Sequence, residues 1–482
     1  MGELRDKTVS GVKWSAIGRF STQGIGFLIG LILARLLSPA DYGVVGMVGI
    51  FFAIAQTFID SGFGSALIRK TDCTDADYST AFYFNAVVGL LCCVILSFAS
   101  PIIADFFNTP ILADIVIVMS INMFIGSLSI VQGARLTAAI DFKSQAKISL
   151  ITTILSGILG IAMAYNGFGV WSLVWQGVFA NLLRTVLLLI ITKWYPKWQF
   201  SKESFRYLFN FGSKILTASL LHTIYANMTT MIIGKYYSAR DLGYYSRGES
   251  LAALPSTNIT GILGSVTYPI LSKIQDDDER LIAVYRKYIA ITSMVIFFGM
   301  SLLAALAEPL VITLLTDKWT NSVIFLQVFC FALMFDHLCQ LNLNILYVKG
   351  RSDLVLKLEM VKKTISIAMI ITSIPFGVLA ICISRAIYTQ IAIVINTYYT
   401  GKLYGLGYFA QVGDFIKYLF FSLVSVLPAY LFSFTEYHSI IVLVVGTLIA
   451  CVIYWLLVRQ DAYFVEIVSV CISKNKRNSF VE

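Results

Sequence analysis

The segment Arg35–Gly43 reads RLLSPADYG, and Lys235–Gly243 reads KYYSARDLG. Two hundred residues apart, both copies carry a cation first, serine fourth, aspartate seventh and glycine ninth. Each copy closes an apolar stretch: Lys13 to Arg35 and Lys214 to Lys235 each span about 32 Å of helix at 1.5 Å per residue, one membrane crossing. The starts of those stretches also match, Gly11-Val12-Lys13 against Gly212-Ser213-Lys214, and Gly64-Ser65 returns as Gly264-Ser265. A helix, its turn and part of the next span have been copied, with the offset slipping by one residue. Within each turn the residues suit a helix start: Pro39 fits the first helical turn, and Asp41 meets the positive end of the helix dipole.

Outward from the repeat, the whole chain reads as membrane protein. Hydrophobic residues make up 58% and charged residues only 13%, against about 25% charge in soluble domains, and the mean hydropathy is +0.80. The expected fold is an all-α integral membrane protein with about fourteen transmembrane helices between 9 and 458, including continuous spans over 43–68, 111–134 and 320–348. Six spans separate the two copies, so both point the same way. That pattern describes parallel repeats about an axis along the membrane normal, with a substrate path between them. The expected organisation is a six-helix lobe over 1–203, a second over 204–405, two additional helices over 406–458 and a cytoplasmic tail over 459–482. The first segment is too long for a secretory signal and lacks a small-residue cleavage site, so it is expected to be retained.

Lys and Arg of short loops stay on the cytoplasmic side. With a cytoplasmic N-terminus, the outer turns hold only Arg35, Lys235, Arg240 and Lys318, and most other basic residues, from Arg5 and Lys7 to Lys474, Lys476 and Arg477, fall inside. The net charge of +9 is therefore a topology signal, helped by attraction to anionic headgroups, and calls for no nucleic acid. The eight cysteines form no CxxC pair and read as small packing hydrophobes. With three histidines, a structural zinc site is not expected, nor any cofactor. Every loop is short, so no catalytic domain is expected. The acidic run Asp276–Glu279 reads as a solvated helix start beside Arg280 and not as a metal site.

Several motifs resemble a known family: Arg35–Gly43, FIDSGFGSALIRK (Phe58–Lys70), DADYSTAFYFN (Asp75–Asn85), GFGVWSLV (Gly167–Val174), LGYYSR (Leu242–Arg247) and LNLNILYVKGRSDLVLKLE (Leu341–Glu359). In order and spacing they resemble Wzx-type polysaccharide flippases, nearest the colanic-acid and teichuronic-acid exporter group of the multidrug/oligosaccharidyl-lipid/polysaccharide (MOP) superfamily, over the chain to about Phe432. The resemblance implies movement of an undecaprenyl-pyrophosphate-linked oligosaccharide from the cytoplasmic to the periplasmic face of a bacterial inner membrane, for O-antigen, capsule or exopolysaccharide. It also implies MATE-like lobes working by alternating access, and a groove for the lipid tail on the last two helices.

Candidate site residues come from the price of charge in lipid, about 2.5–3.5 kcal/mol per ionisable group at a helix centre. Arg19, Arg184, Arg247 and Arg385 are candidates for the pyrophosphate, because a guanidinium offers forked donors that stay charged. Gln23 joins Arg19 on a polar and small stripe with Gly26 and Gly30, although Arg184 lies near enough to Lys193 to snorkel to the interface. Asp60, Glu249, Asp336 and His337 are candidates for a coupling ion, H+ or Na+. For Asp336-His337 the structural alternative is an interhelical ion pair, for instance to Arg385. Tyr225, Asn342 and Asn344 are candidates for the sugar, though tyrosines also favour membrane interfaces. A path within one chain fits a monomer. A cation-coupled multidrug antiporter and a lipid-II flippase of the same superfamily are the competing functions.

Overall fold

The structure, a computed structural model, describes residues 2–466 and 469, with side chains except at 2–10, 12 and 262–266. Arg5, Lys7, the Gly264-Ser265 copy and the tail residues Cys471, Lys474, Lys476 and Arg477 lie outside the described side chains. Two compact units divide the chain, Met1–Gly243 and Tyr244–Glu482. Among the described residues there is no strand.

The first unit holds α1 (Gly2–Leu36), α2 (Pro39–Asp60), α3 (Phe63–Arg69), α4 (Asp75–Phe106), α5 (Leu112–Ser127), α6 (Ile130–Ala138), α7 (Phe142–Tyr165), α8 (Val170–Thr192), α9 (Lys202–Tyr236) and the first turn of α10 (Ala239–Lys273). In it α1 packs on α7, α7 on α8, α4 on α5, and α9 on α2, α3 and α4. The packing of α9 carries this compact unit past 203/204, where the lobe boundary is expected.

The second unit holds the rest of α10, α11 (Asp278–Ala305), α12 (Ala307–Leu315), α13 (Ser322–Leu333), α14 (Asp336–Val348), α15 (Ser352–Ser373), α16 (Val378–Tyr404), α17 (Tyr408–Phe432) and α18 (Ser439–Val458). Here α11 packs on α17, α17 on α18, and α16 on α13, α14 and α15. Leu306, Val426, Ala429, Val442 and Ala450 form the core that ties the last two helices to the end of α11.

Eleven helical stretches among the described residues are long and apolar enough to cross a membrane. The other three of the fourteen expected, α9, α10 and α15, have the length, at 35, 35 and 22 residues. Their apolar runs are diluted by groups such as His222 and Asn227, Arg247 and Glu249, and Glu359 and Lys362. Large apolar side chains such as Phe98, Ile102, Leu448 and Val452 point outward, as they do where the solvent is hydrocarbon.

The two copied turns cap their helices identically. The Ser38 hydroxyl donates to Asp41 Oδ2 at 2.6 Å and accepts from the Asp41 N–H at 3.3 Å, and Ser238 and Asp241 repeat this at 2.6 and 3.1 Å. The first N–H groups of α2 and α10 are thereby satisfied inside the loop.

Three spans expected to be continuous are broken. Between α2 and α3, Ser61 and Gly62 turn left-handed (φ 38° and 71°), and a β-carbon on Gly62 would meet the Gly212 backbone of α9. Between α5 and α6 the Leu128 and Ser129 N–H groups reach back three residues rather than four. Between α13 and α14 the chain turns at Met334-Phe335. The last two breaks fall on the fourth and tenth expected spans, equivalent positions of the repeat. Such irregular backbone is tolerated at membrane depth where other groups re-satisfy it or where it lines a cavity.

Candidate functional site

Both kinds of compensation occur. In the first unit the breaks at Gly62 and at Ser129-Ile130 line a cavity of about 750 Å³. Polar groups from five helices converge on it: Gln56 and Asp60 from α2, Ser65 from α3, Gln145 and Ser149 from α7, Asn181 and Arg184 from α8, and Ser219 from α9. Their positions are fixed by side-chain bonds. Gln56 Nε2 donates to Asp60 Oδ1 at 3.0 Å, one helical turn away on the same face. Asn181 Nδ2 donates to Asn122 Oδ1 at 3.0 Å, and Thr185 Oγ1 donates to the Ile125 carbonyl at 3.2 Å, which satisfies an acceptor beside the α5–α6 break. Gln145 Nε2 donates to Thr137 Oγ1 at 2.8 Å.

A second cavity of about 370 Å³ carries Arg19, Thr22 and Gln23 of α1, and it shares Gln145 and Ser149 with the first. The polar stripe on α1 and the Asp60/Arg184 site are therefore neighbours across α7. Arg19, Gln23, Asp60 and Arg184, picked separately from the sequence, come together here. Gln56, Gln145 and Asn181 were missed, because a search for intramembrane charge passes over neutral amides. The spacing of Gln56 four residues before Asp60 was the available signal.

The candidates in the second unit have other surroundings. Arg385 forms an ion pair with Glu249 and lies over the Phe329 ring at 5.2 Å. The partner suggested for Asp336, Arg385, is thus engaged by Glu249 of α10. Arg247 stacks on Trp319 at 5.1 Å. His337 is buried, with Nδ1 2.9 Å from the Met334 carbonyl and Nε2 2.9 Å from Ser293 Oγ. A carbonyl only accepts, so Nδ1 carries a proton toward Met334, while Nε2 shares a hydrogen with Ser293 Oγ, and the ring binds the α13–α14 break to α11. Asn342 is also buried, exchanging bonds with Gln411 at 2.9 Å and accepting from Thr400 Oγ1 at 2.8 Å, which ties α14 to α16 and α17. Asn344 lies buried one turn from Gln340. Tyr225 is half-buried on α9 and lines neither cavity of the first unit. Among the described residues no cluster of His, Cys, Asp and Glu could hold a metal ion.

A bundle of apolar helices that surrounds a polar, charge-bearing cavity defines a polytopic membrane transport protein. The chain belongs to the polysaccharide biosynthesis protein family, whose model matches residues 32–324, more than half of its length. It is 24% identical over 376 residues to "Lipopolysaccharide biosynthesis protein WzxC" of Escherichia coli (strain K12), covering 76% of this chain and 75% of that one. It is 26% identical over 360 residues to "Teichuronic acid biosynthesis protein TuaB" of Bacillus subtilis (strain 168), covering 73% and 74%. The fold is similar to that of "Lipid II flippase MurJ, inward closed conformation", with a TM-score of 0.76 at 16% identity over 92% of this chain and 99% of that one.

Proposed function

We propose that this protein moves undecaprenyl-pyrophosphate-linked oligosaccharide repeat units from the cytoplasmic to the periplasmic face of a bacterial inner membrane, for surface polysaccharide synthesis. The carrying observation is the cavity of the first unit. A guanidinium, a carboxylate, three amides and several hydroxyls face one space inside apolar helices, which suits an anionic, sugar-bearing headgroup and not a hydrocarbon. Family membership supports the same reading, as do relatives named for lipopolysaccharide and teichuronic acid biosynthesis.

In this reading Arg184 and Arg19 bind the pyrophosphate, and Gln56, Gln145 and Asn181 contact sugar hydroxyls. The lobes of 1–203 and 204–405 alternate access, with both termini cytoplasmic. Asp60, the Glu249–Arg385 pair and Asp336 are the candidates for coupling to H+ or Na+. Because both nitrogens of His337 are bonded inside the fold, that residue takes the role of a packing group. The chain works as a monomer and needs no cofactor.

The experiment is reconstitution in liposomes that carry fluorescent undecaprenyl-pyrophosphate oligosaccharide, with the native chain beside Arg184→Gln and Asn181→Ala. Transport by the native chain that falls at least tenfold in Arg184→Gln supports the proposal; tenfold corresponds to about 1.4 kcal/mol. Movement of lipid II or of a cationic dye in its place would transfer the site to one of the competing functions.

A further inference from the structure

The linker between α8 and α9, residues 193–201, is fixed in an unusual way. Lys193 ends α8 in the left-handed region (φ 47°), and Pro196 disfavours helix at Tyr195. From there the linker is pinned to α4. The Lys197 N–H donates to Ser79 Oγ at 3.0 Å, and the Ser201 N–H donates to Thr80 Oγ1 at 3.0 Å. Trp194 Nε1 donates to Asp75 Oδ1 at 3.3 Å, and Lys197 Nζ pairs with Asp75 at 2.6 Å. Trp194 is buried, edge-on to Tyr78 at 6.0 Å and beneath the Arg135 guanidinium at 5.1 Å.

With the linker held this way, three of its rings stay exposed. Trp198 is 95% exposed, Tyr195 65% and Phe200 57%, and Trp198 is stacked on Tyr83, 5.8 Å away. Beside them Lys193, Lys202 and Arg206 are exposed, with no acidic partner among the described residues. Water is a poor neighbour for three clustered rings, and hydrocarbon is a poor neighbour for three cations. The boundary between headgroups and acyl chains suits both, with aromatic bodies in the apolar layer and cations among phosphates.

We propose that the α8–α9 linker is a docking site for anionic phospholipid headgroups, with Lys193, Lys202 and Arg206 binding the phosphates and Tyr195, Trp198 and Phe200 inserted beneath them. The pins to Asp75, Ser79 and Thr80 transmit that anchorage to α4. The site is independent of any transported substrate.

The full chain is placed in nanodiscs of phosphatidylcholine with phosphatidylglycerol, and two quantities are read. One is the Trp198 share of the fluorescence, the native signal less that of Trp198→Tyr, with quenching by lipids brominated high on the acyl chain and by aqueous iodide. The other is the preference for spin-labelled phosphatidylglycerol over phosphatidylcholine, in the native chain and in the combined Lys193→Gln, Lys202→Gln, Arg206→Gln variant. Quenching of Trp198 by the brominated lipid, together with a several-fold preference for phosphatidylglycerol that is lost in the variant, supports the site. Quenching by iodide alone overturns it. Equal lipid preference in the two proteins overturns the headgroup assignment even if Trp198 is in lipid. All three substitutions are at exposed positions, so the variant is expected to fold, and its unchanged helical circular dichroism is the control.

Discussion

A β-carbon placed on Gly43 would fall on the main-chain carbonyl of Ala239, and one placed on Gly243 would fall on the carbonyl of Pro39. Pro39 and Ala239, like Gly43 and Gly243, are equivalent positions of the two copied loops. The contact is therefore self-complementary, each copy giving the other a carbonyl and receiving one, as at a two-fold axis. Backbone meets backbone across it, with room for α-carbon hydrogens but for no side chain. The duplicated glycine is explained by this crossing.

Alanine at Gly43 or Gly243 must push the two helix starts apart. Each substitution is expected to cost about 1–3 kcal/mol, the usual range for overpacking, read as a lower thermal midpoint in nanodiscs. Gly49 of the same helix meets nothing within 4 Å, so Gly49→Ala is the control and is expected to leave the midpoint unchanged or raise it.

His337 is expected to matter for stability and not for proton coupling. His337→Ala leaves the buried Ser293 hydroxyl and the Met334 carbonyl without a partner, at about 1–3 kcal/mol for each group left unsatisfied. The midpoint should fall while the pH profile of transport keeps its shape. A shifted pH profile with an unchanged midpoint would return His337 to the coupling candidates.

After α18, Asp461 is the hub of a polar clasp. Burial alone would raise its carboxyl, but the Lys417 ammonium at 2.7 Å and the Tyr418 hydroxyl at 3.1 Å outweigh that and hold it below the usual carboxylate range. A carboxyl lowered in the folded state adds stability above its unfolded pKa of about 3.9, and this is lost as pH falls through the lower folded value. Asp461→Asn is therefore expected to reduce the thermal midpoint at pH 7, and the gap from the native chain should narrow below about pH 4.

Transport and packing separate at the cavity. Arg184→Gln is expected to abolish most transport and leave the midpoint within a degree or two, since Arg184 is exposed to the cavity. Asn342→Ala should do the reverse. Asn342 is fully enclosed with Gln411 and Thr400, so its loss takes from the buried Gln411 Oε1 the amide that donates to it, at about 1–3 kcal/mol, while the cavity stays intact.

Much of this was legible in the residues. The serine, proline and aspartate of the copied loops predicted two helix starts, and both fold as the same capping box. Arg19, Asp60 and Arg184 stood out because charge in an apolar run is costly, and Gln23 because it shares the polar stripe of Arg19; all four line adjoining cavities. The broken helices were not legible: Ser61-Gly62 and Met334-Phe335 look like ordinary span interior, since any residue can leave a helix if its neighbours supply the missing hydrogen bonds. Thr185 reaches the Ile125 carbonyl from 60 residues away, and His337, only three residues from the Met334 carbonyl it binds, ties that break to Ser293, 44 residues away.

By itself, the sequence determined that the chain lies in a membrane, that it is built from apolar helices and that part of it was duplicated. Composition and periodicity are properties of single segments, and the bilayer reads segments one at a time. Only the tertiary structure decided which polar groups share a cavity, that Arg385 pairs with Glu249, that both nitrogens of His337 are bonded inside the fold, that Asn342 is enclosed with Gln411 and Thr400, and that Gly43 faces Ala239. Each of these depends on which helix faces are brought together. Inside lipid, where every helix is apolar on its outside, that choice rests on close backbone approach and on paired polar groups, not on hydrophobicity.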